Sequence, residues 1–429
     1  MTSLTPPVEQ VTAERAAPDW DSLTAAHGSP LYVYELARVR QAFGELADAL
    51  PAGSGVLYSL KANPHPALVA ELARLNCGAE VSSRSELAAA LAAGMSPDDV
   101  VYTGPGRSRA QTETAIRAGA RLFSVDSAAQ LAVVRESASR LDCPVDVLLR
   151  VNPEQGALEP GLAMTGVPSQ FGIDAEQLLA RPEEFTSTDG CAIAGLHFYL
   201  GSNVPTAAAL ARQFTDSLEL SARICRVLGL RPRLLDLGGG FPRAYAKEDE
   251  DLDLSGIGPA VQEAFDLHHP AGPGRPRLLF ESGRYLVGAA GWLVAEVLDV
   301  KESKGKRFAV LDSGINHLGG MTGLGRIPRV QPEFHASRPP GSAGSLATGG
   351  LPRIDVVGPL CTPLDFWCRG KQAELAVGDH VVVPNVGAYG LTASLFAFLG
   401  HDCPTELVLD HGAVVDSSVL RYERGPLDA

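Results

Sequence analysis

The stretch YSLKANPHP, Tyr58 to Pro66, places a lysine at the end of an apolar, β-prone run and just before an Asn-Pro break. A lysine is costly to bury. Lys61 is therefore either a solvated strand end or an amine carried into a site, where amines attack carbonyl groups. A second piece is LDLGGGFP (235–242), three glycines directly after an apolar strand. Such a backbone can approach an anion closely, and its successive N–H groups can cradle a phosphate. Alone, the same residues read as a tight turn. Their spacing is neither a Walker loop nor GxGxxG, so no nucleotide is indicated. FESGRY ends another apolar run on Glu281, with Arg284 as an alternative ion-pair partner for it. GLHFYLGSN offers the His197 ring and the Ser202 hydroxyl. A lone strand histidine is more often a satisfied core residue.

Taken together, one amine, one phosphate cradle and one carboxylate match the needs of pyridoxal 5'-phosphate. That cofactor needs a Schiff-base lysine, anchored phosphate oxygens and a partner for its ring nitrogen. Glu281 can keep the pyridine nitrogen protonated, His197 can stack on the ring, and Ser202 with the glycine before it can add phosphate contacts.

The elements that must position these groups follow from the pattern. Short β-rich runs at 55–63, 78–83, 100–106, 121–127, 145–153, 192–202, 233–242 and 277–285 make eight strand candidates. Helical spacing fills segments between them, such as ALVAELARLN (67–76) and SELAAALAAG (85–94). Strict alternation points to a (β/α)8, TIM-type barrel, with a doubly wound sheet as the alternative. In such barrels chemistry gathers at the C-terminal strand ends. Those ends carry Lys61, Ser83, His197, Gly201, Ser202, Gly238–Gly240 and Glu281–Arg284. From about 286 the runs alternate without long helices, which predicts a second, antiparallel β-barrel domain. The expected organisation is an N-terminal arm over 1–35 that partly joins the β domain, a barrel over 36–285, and a β domain over 286–429. Its Pro/Gly/Ser-rich stretch near 336–350 reads as a flexible loop.

The totals exclude several classes. The 429 residues carry a formal charge of −14, the wrong sign for nucleic acid or an anionic membrane as main partner. The N-terminus has no apolar core behind a basic start, so no signal peptide is expected, and no uninterrupted apolar run spans a bilayer. Seven scattered cysteines contain no CxxC pair, so no metal is expected, and reduced thiols fit a cytoplasmic protein.

The motifs YSLKAN, GAEVSS, VYTGPGRS, FSVDS, LRVNP, SQFGI, GLHFYLGSN, LDLGGGFP, ESGRY, GPLCTPLD and VGAYG occur in this order from about residue 30 to 420. In that order they resemble the fold-type III pyridoxal-phosphate decarboxylases, the group of diaminopimelate, ornithine and arginine decarboxylases. The resemblance implies Lys61 as the Schiff-base lysine and Glu80 where the family usually has an aspartate beside it. It implies His197 as the stacking ring, Glu281 as the ring-nitrogen partner, and Ser202, Gly239 and Gly240 as phosphate contacts. Gly283 and Arg284 match positions near the phosphate or substrate carboxylate, and Tyr389 matches a tyrosine reaching the phosphate from the second domain. Cys361 matches a cysteine offered by the opposite subunit of a homodimer with shared active sites, with Thr362 and Asp365 in the same motif. Without that motif Cys361 would read as one more small hydrophobe.

Three departures bear on substrate. Ser282 stands where the family often has proline. Thr362 follows Cys361 where enzymes for cationic distal ends usually carry an acidic residue. The stretch DSGINHLGGMTGLGRIPRV (312–330), which includes Arg326, is glycine-rich where diaminopimelate decarboxylases have an arginine-containing segment. The chain thus looks more like the subgroup that decarboxylates modified or acyl-carrier-bound amino acids in natural-product pathways. The alternatives are diaminopimelate decarboxylase of lysine biosynthesis, an amino-acid racemase, and a non-catalytic binding relative. A racemase typically sets arginine against the ring nitrogen, which Glu281 opposes. Non-catalytic relatives tend to lose the lysine or cysteine, and both are here.

Overall fold

The computed structural model describes residues 18–154, 162, 163, 166, 168–248, 252–319, 332–337 and 351–425. Eight strands form a closed parallel barrel: Gly55–Ser59, Gly78–Val81, Val100–Tyr102, Leu122–Val125, Val145–Asn152, Cys191–Phe198, Leu234–Asp236 and Arg277–Ser282. Closure comes from Arg277–Ser282 pairing in parallel with Gly55–Ser59. A short strand, Ile173–Asp174, adds to Val145–Asn152. Most of these strands are buried on both faces, which is why they read as continuous apolar runs rather than alternating ones. Leu57, Val101, Leu122, Leu148, Ala194 and Leu279, one from each of six strands, pack with one another in a single cluster.

Helices cover the outside. The longest, Ala207–Leu228, buries Leu210, Phe214, Leu218 and Ile224 along one stripe. Thr206 caps its start by accepting from the Ala209 N–H, and Gly229 ends it in a left-handed conformation. Gly195 lets strand Cys191–Phe198 lie tight against Leu234–Asp236, since a Cβ there would overlap the Leu234 carbonyl.

The strands are shorter than the sequence runs implied, and the difference is informative. The first ends at Ser59, and Lys61 sits in the 3-10 turn Leu60–Ala62. Asn63, before Pro64, is extended, as the residue before a proline prefers. The glycine run lies wholly beyond strand Leu234–Asp236, in a loop. Arg284 opens a one-turn helix, Arg284–Val287.

The second sheet corrects one expectation: it is mixed, not wholly antiparallel. Leu31–Glu35 runs antiparallel to Gly291–Ser303 but parallel to Thr405–Asp410. Lys306–Leu311 is also parallel to Arg353–Val357. A parallel pair needs a long crossover, and residues 312–352 separate these two strands in the sequence. Strand Leu31–Glu35 arrives from the far end of the chain, so no hairpin dictates its direction. No pair among the described residues closes this sheet. Most of the 336–350 stretch lies outside the described residues, and Ala336 and Ser337 belong to strand His335–Ser337. No described helix is long and apolar enough to cross a membrane.

Two glycines give opposite expectations for the same change. Gly195→Ala forces barrel strands apart and should cost about 3 kcal/mol or more, as severe overpacking does. Gly44→Ala, mid-helix in Leu36–Asp48 with open space around its missing Cβ, should gain about 0.5–1 kcal/mol. Thermal melting of both variants checks this; a Gly195→Ala protein as stable as wild type refutes the close approach.

Candidate active site

The barrel's C-terminal end gathers the charged groups. Lys61 Nζ donates to Glu80 Oε2 at 2.9 Å, and Thr103 Oγ1 donates to Glu80 Oε1 at 2.6 Å. Burial alone would raise the Glu80 pKa, but Lys61 and the Thr103 hydroxyl outweigh it and hold the carboxyl down at about 2. Burial opposes charge on Lys61 too, and Glu80 overrides it, so the amine is held above its ordinary value. The lysine side chain is still 39% exposed, so solvent screens part of this attraction. The amine is thus anchored at its side and open to the barrel mouth, 5.6 Å from the centre of the Tyr199 ring.

The turn that carries Lys61 is fixed from the barrel and from the segment after strand His380–Val383. Tyr58 donates its hydroxyl to the Asn63 carbonyl at 2.7 Å. The Tyr389 N–H donates to the Ala62 carbonyl at 2.7 Å, and the Asn63 amide donates to the Gly387 carbonyl at 2.9 Å. Tyr389 has φ +56°, and Arg284 lies 4.7 Å over its ring. Gly283 packs against the same turn, where a Cβ would come within 2.8 Å of the Ala62 Cβ.

Across the barrel mouth stand His197, Asp236 and Glu281, all buried. One nitrogen and two carboxylate oxygens, one atom from each, lie within 4.8 Å of one another. The Ser124 hydroxyl meets His197 Nδ1 at 2.7 Å, which fixes the ring. His197 Nε2 faces Glu281 Oε1 at 3.3 Å, but neither atom makes a hydrogen bond, and Asp236 Oδ2 also has none. Burial disfavours charge on His197, yet Asp236 and Glu281 outweigh it and hold its pKa above the usual value. Burial and then the Glu281 charge push Asp236 up to about 7. Glu281 faces His197, while Arg284 is engaged with Tyr389, so the alternative Glu281–Arg284 pairing is not what forms.

The glycine loop lies between these groups and helix Ala207–Leu228. Its carbonyls are engaged by the protein: Gly238 by the Glu281 N–H at 2.8 Å, Gly239 by Gln213 at 3.0 Å and Gly240 by the Val204 N–H at 2.9 Å. The last bond ties the loop to the residues just after the short strand Gly201–Ser202. Gly238 and Gly240 have φ of +71° and +113°, and a Cβ on Gly239 would overlap the Glu281 carbonyl. These positions exclude side chains whether or not an anion is near.

The remaining candidates lie in the second sheet or outside the described residues. Cys361 is an exposed free thiol in the loop before strand Phe366–Gln372. Thr362 is half-buried, and its hydroxyl oxygen accepts from the Leu364 N–H at 3.3 Å. Asp365 is buried and accepts from Ile315 and Leu360 N–H groups at 2.9 and 2.8 Å, so it braces the cysteine loop. Arg326 lies outside the described residues.

Asp236, Ser124, Thr103 and Arg150 were not singled out from sequence. Asp236 had a legible signal, a charge inside the apolar stretch that precedes the glycines. Arg150 had a similar one in LLRVNP: it is buried, 3.8 Å from Asp126 and 4.9 Å from the Phe171 ring.

The residues fit pyridoxal phosphate. A half-open amine, a buried carboxylate oxygen without a hydrogen bond, a fixed imidazole beside it, a side-chain-free loop and the Arg284 Nε without a partner are the functional groups that cofactor needs.

Comparison with known proteins agrees. Residues 36–288 match the family model for the pyridoxal-dependent decarboxylase, pyridoxal binding domain. The chain is 31% identical over 399 residues to the L-glutamyl-[BtrI acyl-carrier protein] decarboxylase of Niallia circulans, covering 91% of each chain. It is 34% identical over 383 residues to the diaminopimelate decarboxylase of Pseudomonas aeruginosa, covering 86% of this chain and 84% of that one. The crystal structure of Helicobacter pylori diaminopimelate decarboxylase complexed with L-lysine superimposes with a TM-score of 0.78 at 25% identity, over 94% of this chain and 95% of that one. The chain belongs to the pyridoxal-dependent decarboxylases, amino-acid carboxy-lyases that work through pyridoxal phosphate.

Proposed function

We propose that this decarboxylase acts on an amino acid whose distal end is neutral or extended, such as an acylated or carrier-protein-bound amino acid of a natural-product pathway. The observation that carries the reading is Thr362. It follows Cys361 with an uncharged side chain whose oxygen is engaged in its own turn. The similarity to the L-glutamyl-[BtrI acyl-carrier protein] decarboxylase over 91% of both chains supports the same direction. A diaminopimelate decarboxylase is the second reading, favoured by 34% identity to such an enzyme.

In this reading each residue has one task. Lys61 offers the amine to which the cofactor attaches, and Glu80 with Thr103 holds that amine in place. Glu281 would hold the ring nitrogen, and His197, fixed by Ser124, would lie against the ring. Ser202, Gly239, Gly240, Gly283, Arg284 and Tyr389 would hold the phosphate. Bound pyridoxal phosphate supplies the electron sink for the pair left when the Cα–carboxylate bond breaks. Cys361, from the opposite subunit of a homodimer, is the proton donor to Cα. Asp365 fixes the loop that presents Cys361, and Thr362 is placed to meet the substrate's distal end, a role the sequence also offers to Arg326.

Three outcomes test this. Borohydride reduction of the cofactor-loaded protein should fix the cofactor on Lys61, and peptide mapping that found it on another lysine would refute the assignment. Lys61→Ala and Cys361→Ala chains, each inactive alone, should recover activity when mixed, because one hybrid site is intact. Proven subunit exchange without recovery refutes shared sites. Finally, an unpaired buried ammonium costs on the order of 3–5 kcal/mol, and about 1.4 kcal/mol is tenfold in rate. Free lysine, ornithine and diaminopimelate should therefore be poor substrates beside carrier-bound ones, with Thr362→Glu shifting preference toward them. Turnover of free meso-diaminopimelate by wild type at about 10⁴ M⁻¹s⁻¹ or faster would overturn the proposal in favour of the second reading.

A further inference from the structure

We infer that Asp236 is a second carboxylate for the cofactor's ring nitrogen: it supplies the negative charge that lets His197 and that nitrogen be protonated together. This role presupposes Glu281 as the ring-nitrogen partner proposed above.

The placement comes from register. Asp236 pairs with His197 across adjacent barrel strands, and His197 pairs with Arg150 on the next, so the three share one row and one face. Asp236 is fully buried. Its Oδ1 accepts from the Gly238 N–H at 2.9 Å, while Oδ2 is left without a hydrogen bond. A buried, unpaired carboxylate oxygen is costly unless a charge or donor answers it.

The formal charges around it fall into pairs and one remainder. Lys61 and Glu80 form one pair, at 2.9 Å. Arg150 and Asp126 form another, at 3.8 Å. Each pair sums to zero. What remains facing Asp236 is His197 from one neighbouring strand and Glu281 from the other. A protonated His197 neutralises one of the two carboxylates and leaves a net charge of −1. One further cation at this spot brings the cluster to zero, and a pyridinium N–H beside Glu281 is such a cation. If Asp236 were neutral, His197 and Glu281 would cancel each other. A ring nitrogen would then gain its proton only at the imidazole's expense. Burial and the Glu281 charge raise the Asp236 pKa to about 7, and a cation beside the two carboxylates would act in the opposite direction.

The test compares binding of two cofactors to the full-length cofactor-free protein above pH 7, where Asp236 is ionised. One is pyridoxal phosphate; the other is its deaza analogue, with C–H in place of the ring nitrogen. An opposite charge nearby moves a pKa by about 1–3 units, and each unit is tenfold. Asp236→Asn keeps an acceptor for the Gly238 N–H. It should lose about tenfold or more of the wild-type preference for pyridoxal phosphate while binding the deaza analogue as wild type does. Asp236→Glu should recover part of the preference. The nitrogen-15 shift of ring-labelled cofactor should move toward the unprotonated value in Asp236→Asn. Unchanged preference, or equal weakening of both cofactors, overturns the assignment, the latter by showing a merely structural role. Glu281→Gln separates the two claims: if it keeps the full wild-type preference, the ring nitrogen does not meet Glu281 and the underlying reading fails first. Asp236→Ser removes the same charge and repeats the comparison if Asp236→Asn does not fold.

Discussion

No charge at the mouth of this barrel can stand alone. The interior is a poor solvent for ions, so each charged side chain that points inward must meet an opposite charge, a hydrogen bond or a ligand. The barrel answers with pairs: Lys61 with Glu80 and Arg150 with Asp126. The third group, His197 with Asp236 and Glu281, sets two carboxylates against one imidazole. Parallel closure turns residues from different strands to one interior face, and the shear between strands sets their heights. The same register that packs Leu57, Leu148 and Leu279 as an apolar layer lifts Glu80, His197, Asp236 and Glu281 to the open end. Stability and chemistry therefore share one constraint. The apolar layer keeps water from the floor, and the polar layer above it is solvated only by its own partners and by whatever binds there.

The barrel was legible because its signals were redundant. Eight apolar runs separated by helical spacing leave few topologies, and a barrel is the one that buries every strand on both faces. Lys61, His197 and Glu281 were legible for a related reason: each is an expensive residue at the end of an apolar run. Asp236 carried the same signal but was masked by the three glycines that follow it, which drew the reading to the loop. Ser124 and Thr103 left none, since a strand serine or threonine is unremarkable until its partner across the barrel is known. The mixed direction of the second sheet was illegible as well. Alternation of apolar and polar residues reports which face of a strand is buried, not which way its neighbour runs.

The barrel and the segments around the second sheet meet at several places, and one of them is the turn that carries Lys61. Lys61 sits in a 3-10 segment of three residues, too short to hold itself. Backbone groups of the second domain, at Gly387 and Tyr389, hold it instead, and Tyr245 adds a hydroxyl bond to the Tyr389 carbonyl at 3.1 Å. The amine's position is thus set partly by a sheet that belongs to a different fold layer. Such coupling explains why a second domain is not an ornament on this barrel: without it the lysine turn loses two of its anchors.

The charge at the ring-nitrogen position also bears on which reaction the site favours. A carboxylate partner keeps a pyridinium protonated and makes it a strong sink for electrons, which is what loss of carbon dioxide demands. An arginine partner would leave the nitrogen unprotonated and weaken the sink, protecting a substrate carboxylate while a Cα proton is exchanged. Here the buried set contains two carboxylates and an imidazole, with Arg150 turned toward Asp126 and the Phe171 ring. Glu281 is 2% exposed and Asp236 is 0% exposed, so water screens them little. With Glu281 as the proposed ring-nitrogen partner, such a set favours breaking the bond to the carboxylate, and the proposed choice among amino acids falls to the loop that carries Cys361 and Thr362.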